Sequence, residues 1–84
     1  MYEIEYKKKA IKGLAKINDP YYTAIIQSIN NLSENPRPFG YKKLTGRSGY
    51  RIRVGTYRII YDIFDTKLII EIVNIGSRGV IYED

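Results

Sequence analysis

The sequence predicts an α+β domain: two helices near the start of the chain, packed on one face of a small, mainly antiparallel, four-stranded sheet, in the order β-α-α-β-β-β. Three observations predict it. Apolar residues recur at helical spacing between residues 10 and 32, strand-like alternation and apolar runs fill 50 to 75, and a stretch rich in proline and glycine separates the two regions. The 84 residues are expected to form a single domain, 1–84. A chain of this size buries only a little over roughly 60% of its unfolded surface, so its core is modest.

Each element has its own signal. Residues 2–6 alternate Tyr2, Ile4 and Tyr6 with Glu3 and Glu5, which suits a strand with one buried face. From Lys7 to Ile17 the period changes: Ala10, Ile11, Leu14 and Ile17 form one helical stripe among lysines, despite the helix-weakening Gly13. Asp19 is placed to cap the next helix and Pro20 to open it, where a missing amide hydrogen costs nothing. Tyr22, Ile25, Ile26, Ile29 and Leu32 continue the stripe until Asn35, which precedes Pro36 and so avoids the helical region. Residues 35–49 read as a loop with short extended structure, pinned to the core through Phe39, Tyr41 and Leu44.

The later half is hairpin-like. Gly55-Thr56 is a two-residue turn with glycine first, which places Val54 opposite Tyr57, Arg53 opposite Arg58 and Ile52 opposite Ile59. The strand 57–64 then leads through Asp65-Thr66 into 67–75, whose continuous apolar run suggests a central position covered on both faces. Ser77 to Tyr82 is a short tail. The helices would cover Ile52, Val54, Ile59, Tyr61, Ile63, Leu68, Ile70 and Ile72.

Composition excludes several chemistries. The chain has neither cysteine nor histidine, which removes disulfides, Ser-His and Cys-His nucleophile pairs and the common zinc sites; no metal or other cofactor is expected. No apolar run approaches a membrane span or a signal-peptide core, so a soluble, cytoplasmic protein is expected.

The net charge of +5 falls in two clusters. Lys7, Lys8, Lys9, Lys12 and Lys16 read as the solvated face of an amphipathic helix. Arg37, Lys42, Lys43, Arg47, Arg51, Arg53 and Arg58 differ, because no acidic residue occurs between Glu34 and Asp62 to offset them. Alternation puts Arg51, Arg53 and Arg58 on one strand face. Like charges on adjacent strands cost a few tenths to about 1 kcal/mol, and a polyanion such as a nucleic-acid backbone would relieve that. Glu71, expected on the same face, is the candidate partner that would instead make Arg58 a structural residue.

Four segments together, the helix pattern with Ala10, Lys12, Leu14 and Ile17, then NPRPFGYKKLTG, YRIRVGTYRIIY and the closing IGSRGVIY, resemble the RelE/ParE family of small toxins from bacterial and archaeal toxin–antitoxin pairs. The resemblance spans almost the whole chain and implies a RelE-like fold of two helices against a mainly antiparallel sheet. It also implies one of two functions. RelE-like members cut messenger RNA in the ribosomal A site, whereas ParE-like members inhibit DNA gyrase and lack the basic catalytic set. Arg51, Arg53, Arg58, Arg78 and Tyr82 match the RelE-like set. Some relatives carry lysine at the first two of these positions, and the position of Ser77 is often histidine or lysine.

The expected function is therefore a ribosome-dependent endoribonuclease working by metal-independent attack of the RNA 2′-hydroxyl. Arginine suits stabilisation of the phosphorane, since its planar donors match phosphate oxygens, but with a pKa above about 12 it is a poor proton-transfer group. Tyr82 is the best candidate for that step; a tyrosine near a C-terminus also commonly packs on a sheet. Lys42, Lys43 and Arg47 are candidate RNA-binding residues. Implied partners are a RelB-like cognate antitoxin, the ribosomal A site, messenger RNA and ribosomal RNA. The alternatives are a gyrase-directed ParE-like toxin and an RNA-binding remnant without activity.

Overall fold

A computed structural model describes residues 1–77. They comprise β1 (Glu3–Tyr6), α1 (Lys8–Leu14), α2 (Tyr21–Leu32), β2 (Lys42–Lys43), β3 (Tyr50–Val54), β4 (Tyr57–Phe64) and β5 (Ile69–Ser77). The sheet order is β1-β5-β4-β3-β2, with β1 parallel to β5 and every other pair antiparallel. The expected α+β architecture is present, but the sheet has five strands rather than four. The extra strand, β2, holds two residues inside the proline- and glycine-rich segment, too few to leave a periodic signature.

The hairpin register is the one expected: Ile52 lies opposite Ile59, Arg53 opposite Arg58 and Val54 opposite Tyr57. Gly55 supplies the turn's positive φ of 61°. A register shift at Ile60/Tyr61 takes up one extra residue of β5, so that Tyr61 pairs with Ile72 and Ile60 with Asn74. This keeps Ile59, Tyr61, Ile70, Ile72 and Ile75 on the helix-covered face, where all five are essentially inaccessible.

Against that face pack Ala10, Leu14 and Ile17 from the first helical segment and Ile25, Ile29 and Leu32 from α2. Each fully buried aliphatic side chain contributes about 1.5–3 kcal/mol of transfer free energy, so this layer supplies the main drive to fold. The first helix stops at Leu14 rather than reaching Ile17. There the amides of Lys16 and Ile17 bond to the carbonyls three residues earlier, a tighter turn that still delivers Ile17 to the core. Gly13 faces β5 so closely that a Cβ there would lie 2.0 Å from the Ile75 carbonyl oxygen. The glycine that weakens the helix is what lets it sit on the strand. Pro20 is itself the N-cap of α2, one place before the helix it was expected to open, and Asp19 acts from the residue before the cap, accepting from the Thr23 amide and hydroxyl at 3.0 and 2.6 Å.

Four expectations about the core fail for local reasons. Ile11 and Tyr22 flank the helical stripes and are exposed. Leu68 is a turn residue with φ 56°, half exposed, because β5 begins one residue later. Phe39 does not pin the loop but stands fully in solvent. β5 is an interior strand, between β1 and the central β4, yet helices cover only one of its faces, and Ile69, Glu71 and Val73 on the other are partly exposed.

Candidate nucleic-acid interface

The face of the sheet away from the helices carries the basic residues, and the strand register fixes their neighbours. Lys42 pairs with Arg51, and Arg53 with Arg58, so side chains from β2, β3 and β4 share one side. Their exposures differ sharply. Arg53 and Lys42 are exposed, whereas Arg51 and Arg58 are only 7% and 5% accessible. Arg58 is buried although it lies on the face away from the helices: β4 has a strand on each side, and β3 is flanked by β2 at Arg51. Leu44, buried just beyond β2, joins Ile60 and Val73 in a second apolar cluster.

That cluster has an acidic neighbour. Glu5 pairs with Glu71, and Glu71 with Asp62, which sets three carboxylates in a row across β1, β5 and β4. The face is therefore divided, basic at the β2–β3 edge and acidic toward β1. The same register removes the expected Arg58–Glu71 contact, because Arg58 pairs with Gly76, five residues along β5 from Glu71. Glu71 is instead 4.0 Å from Lys7. Among the described residues, no group of three or more acidic side chains is disposed to hold a metal ion.

The candidate RNA-binding residues separate. Lys42 and Lys43 point to opposite sides, as neighbours on a strand must. Lys42 joins the arginines, while Lys43 pairs with Tyr50 and places its ammonium 5.4 Å from that ring's centroid. Arg47 is exposed in the 44–49 loop, closed by the Leu44 amide bonding the Gly49 carbonyl at 3.0 Å. Arg78 and Tyr82 lie outside the described residues.

The loop leading to the site is locked. Arg37 spans Asp65 at 3.0 and 3.4 Å, and the Tyr2 hydroxyl donates to the same carboxylate at 2.6 Å. Arg37's hydrogen bonds, then Tyr2's, hold the Asp65 carboxyl below the usual carboxylate range. Tyr61, buried among core side chains, donates to the Pro36 carbonyl at 2.7 Å, and burial pushes its phenol up. Arg37 also lies 5.7 Å from the Tyr50 ring centroid, and Tyr50 in turn meets Tyr41 and Tyr61. So Arg37 belongs to a scaffold, not to the exposed basic face.

Two features were not legible as sites. Lys9, Lys12 and Lys16 line a cleft of about 410 Å³ between α1 and the end of β5, facing Tyr57 and Asn74. Their helical spacing showed a shared face but not the strand end beside it. A second groove of about 400 Å³ lies between α2 and β3, with Arg51 and Arg53 on one wall and Phe39 beside them.

This small α+β domain with a basic sheet face matches, over residues 4–82, the family model described as the ParE toxin of the type II toxin–antitoxin system, parDE. The chain belongs to this RelE/ParE family of toxins. It is similar in structure to the archaeal RelE–RelB complex from Pyrococcus horikoshii OT3, at 28% identity over 95% of this chain and 98% of that one, with a TM-score of 0.81. The RelBE2 toxin–antitoxin complex from Mycobacterium tuberculosis matches at 25% identity over 92% and 98% of the two chains, TM-score 0.80. The intact E. coli RelBE complex, at 22% identity over 92% and 96%, TM-score 0.80, shares the fold. No curated protein matches the chain. No helix among the described residues is long and apolar enough to cross a membrane.

Proposed function

We propose that this toxin is a ribosome-dependent endoribonuclease that cuts messenger RNA in the A site and thereby blocks translation in the bacterial or archaeal cytoplasm. The observation that supports it most is the pairing of Arg53 with Arg58 and of Lys42 with Arg51 on one sheet face. In the reaction the 2′-oxygen loses its proton and attacks the adjacent phosphorus. The bond from phosphorus to the 5′-oxygen then breaks, and that oxygen takes up a proton. The products are a 2′,3′-cyclic phosphate and a 5′-hydroxyl. Arg51, Arg53 and Arg58, with Arg78, stabilise the charge that builds on the phosphorane, and Tyr82 moves a proton. Lys42 and Arg47, with Lys43 at the edge, hold flanking phosphates of messenger or ribosomal RNA. Each preorganised donor of this kind is worth about 3–4 kcal/mol at the transition state.

The similar solved structures are complexes of RelE with RelB, and we propose a RelB-like cognate antitoxin here. A segment lying on the basic half of the sheet face is complementary to it when it carries Asp or Glu.

A second reading, a gyrase-directed toxin without nuclease activity, is favoured by the description of the matching family model. Purified toxin added in parallel to a cell-free translation extract and to a gyrase supercoiling reaction separates the two. The nuclease stops protein synthesis with shortened message and leaves supercoiling untouched; the reverse pattern assigns the gyrase reading.

A further inference from the structure

Phe39 is the least buried large apolar side chain among the described residues, and it is held there by a closed turn. The Tyr41 amide donates to the Pro38 carbonyl at 3.0 Å, and Gly40 takes a φ of 90°. This is the geometry of a type II turn with Phe39 at its first central position and glycine at the second.

The ring stands at a groove with mixed walls. The β3 side is formed at Arg51, Ile52 and Arg53, of which Ile52 turns toward α2 and the two arginine side chains toward the other face, and the α2 side by Ser28 and Asn31. β2 pairs only with Tyr50 and Arg51, so the groove follows β3 where it becomes an edge strand. The groove thus offers an aromatic plane and a hydroxyl and an amide that can both give and accept hydrogen bonds, with the exposed Arg53 guanidinium on the adjoining face of the edge strand. Single-stranded RNA is recognised by that combination: bases stack on aromatic rings, phosphates meet arginines, and base edges meet short polar side chains. A peptide with several apolar anchors would meet, beyond the one ring, only half-buried Pro38 and buried Ile52.

We infer that Phe39 is a stacking platform for one nucleobase of a single-stranded RNA whose neighbouring phosphate reaches the exposed Arg53 around the edge of β3, with Ser28 and Asn31 reading the edge of the stacked base. The inference rests on an RNA substrate as proposed above, and it adds a position that selects sequence. Because the ring is wholly in solvent, its replacement leaves the fold unchanged.

The test is a fluorescence titration of the toxin with a short 2′-O-methyl oligoribonucleotide, which cannot be cut, carrying 2-aminopurine. Stacking quenches that base. The wild-type chain binds with quenching, Phe39→Ala binds about 5- to 150-fold more weakly without it, and Phe39→Trp retains both. An abasic oligonucleotide binds the wild-type and Phe39→Ala chains alike. No binding by the wild type overturns the inference, as does Phe39→Ala that binds and quenches normally. So does a loss confined to antitoxin affinity, which would make the turn a protein-docking surface. Failure of the nuclease reading is distinguishable: quenching by a wild-type toxin that leaves ribosome-bound message intact overturns cleavage and keeps the platform.

Discussion

Arg53 and Arg58 occupy directly opposed positions on β3 and β4, one exposed and the other 5% accessible. The same charge in the same pair therefore has different structural consequences. Arg53→Ala should lower the rate of message cleavage about 10²- to 10³-fold, the usual effect of removing one transition-state donor, and change stability by less than about 0.5 kcal/mol. Arg58→Ala should lower activity and also unfold earlier in urea, by about 1–3 kcal/mol, because it takes a contacting group out of the sheet. Equal stabilities of the two variants would contradict the burial of Arg58.

Gly13→Ala tests the packing of α1 on β5. Helix propensity alone favours alanine by about 1 kcal/mol. The 2.0 Å separation from the Ile75 carbonyl oxygen demands instead that helix and strand part, at about 1–3 kcal/mol or more. The urea midpoint should fall; a rise would mean that the helix can move away freely.

These two cases show what the sequence reveals. The hairpin register could be read because Gly55 marks the turn and alternation does the rest. The helical stripes were legible from Ala10 to Leu32 because one side of each helix meets the sheet. The burial of Arg51 and Arg58 was not, since it depends on which strands flank them. The row of Glu5, Glu71 and Asp62 joins residues far apart in the chain through pairings that no local pattern encodes. Gly13 looked like a weakness because its reason lies on another element. The exposure of Phe39 had a visible signal, the Pro-Phe-Gly turn, whose apolar ring was read as an anchor.

The Asp65 lock predicts an acid limb of stability. Its carboxyl is held low by Arg37 and then Tyr2, so the folded state favours the charged form. The contribution is fully present above the unfolded value of about 3.9 and is lost as pH falls through the lower folded value. Melting temperatures of the wild type and Asp65→Asn, measured from about pH 6 down to about pH 2, should converge at the acid end. A gap that stays constant would show that the carboxylate charge is not what stabilises the turn.

Association with the antitoxin should depend on salt. If acidic residues of that partner cover the basic half of the sheet face, the association rate falls as ionic strength rises, with screening over a Debye length of about 8–10 Å. Neutralising Lys42 and Arg53 should flatten that dependence and change dissociation less. A salt-independent rate would place the antitoxin on another surface.

The most direct test of the account is primer-extension mapping of a defined message on purified, programmed ribosomes, with wild-type toxin and with Arg53→Ala. The account predicts new 5′-ends within the A-site codon for the wild type, none on the same message without ribosomes, and about 10²- to 10³-fold slower appearance with Arg53→Ala. Intact message on toxin-treated ribosomes, or cleavage that Arg53→Ala leaves unchanged, would contradict it.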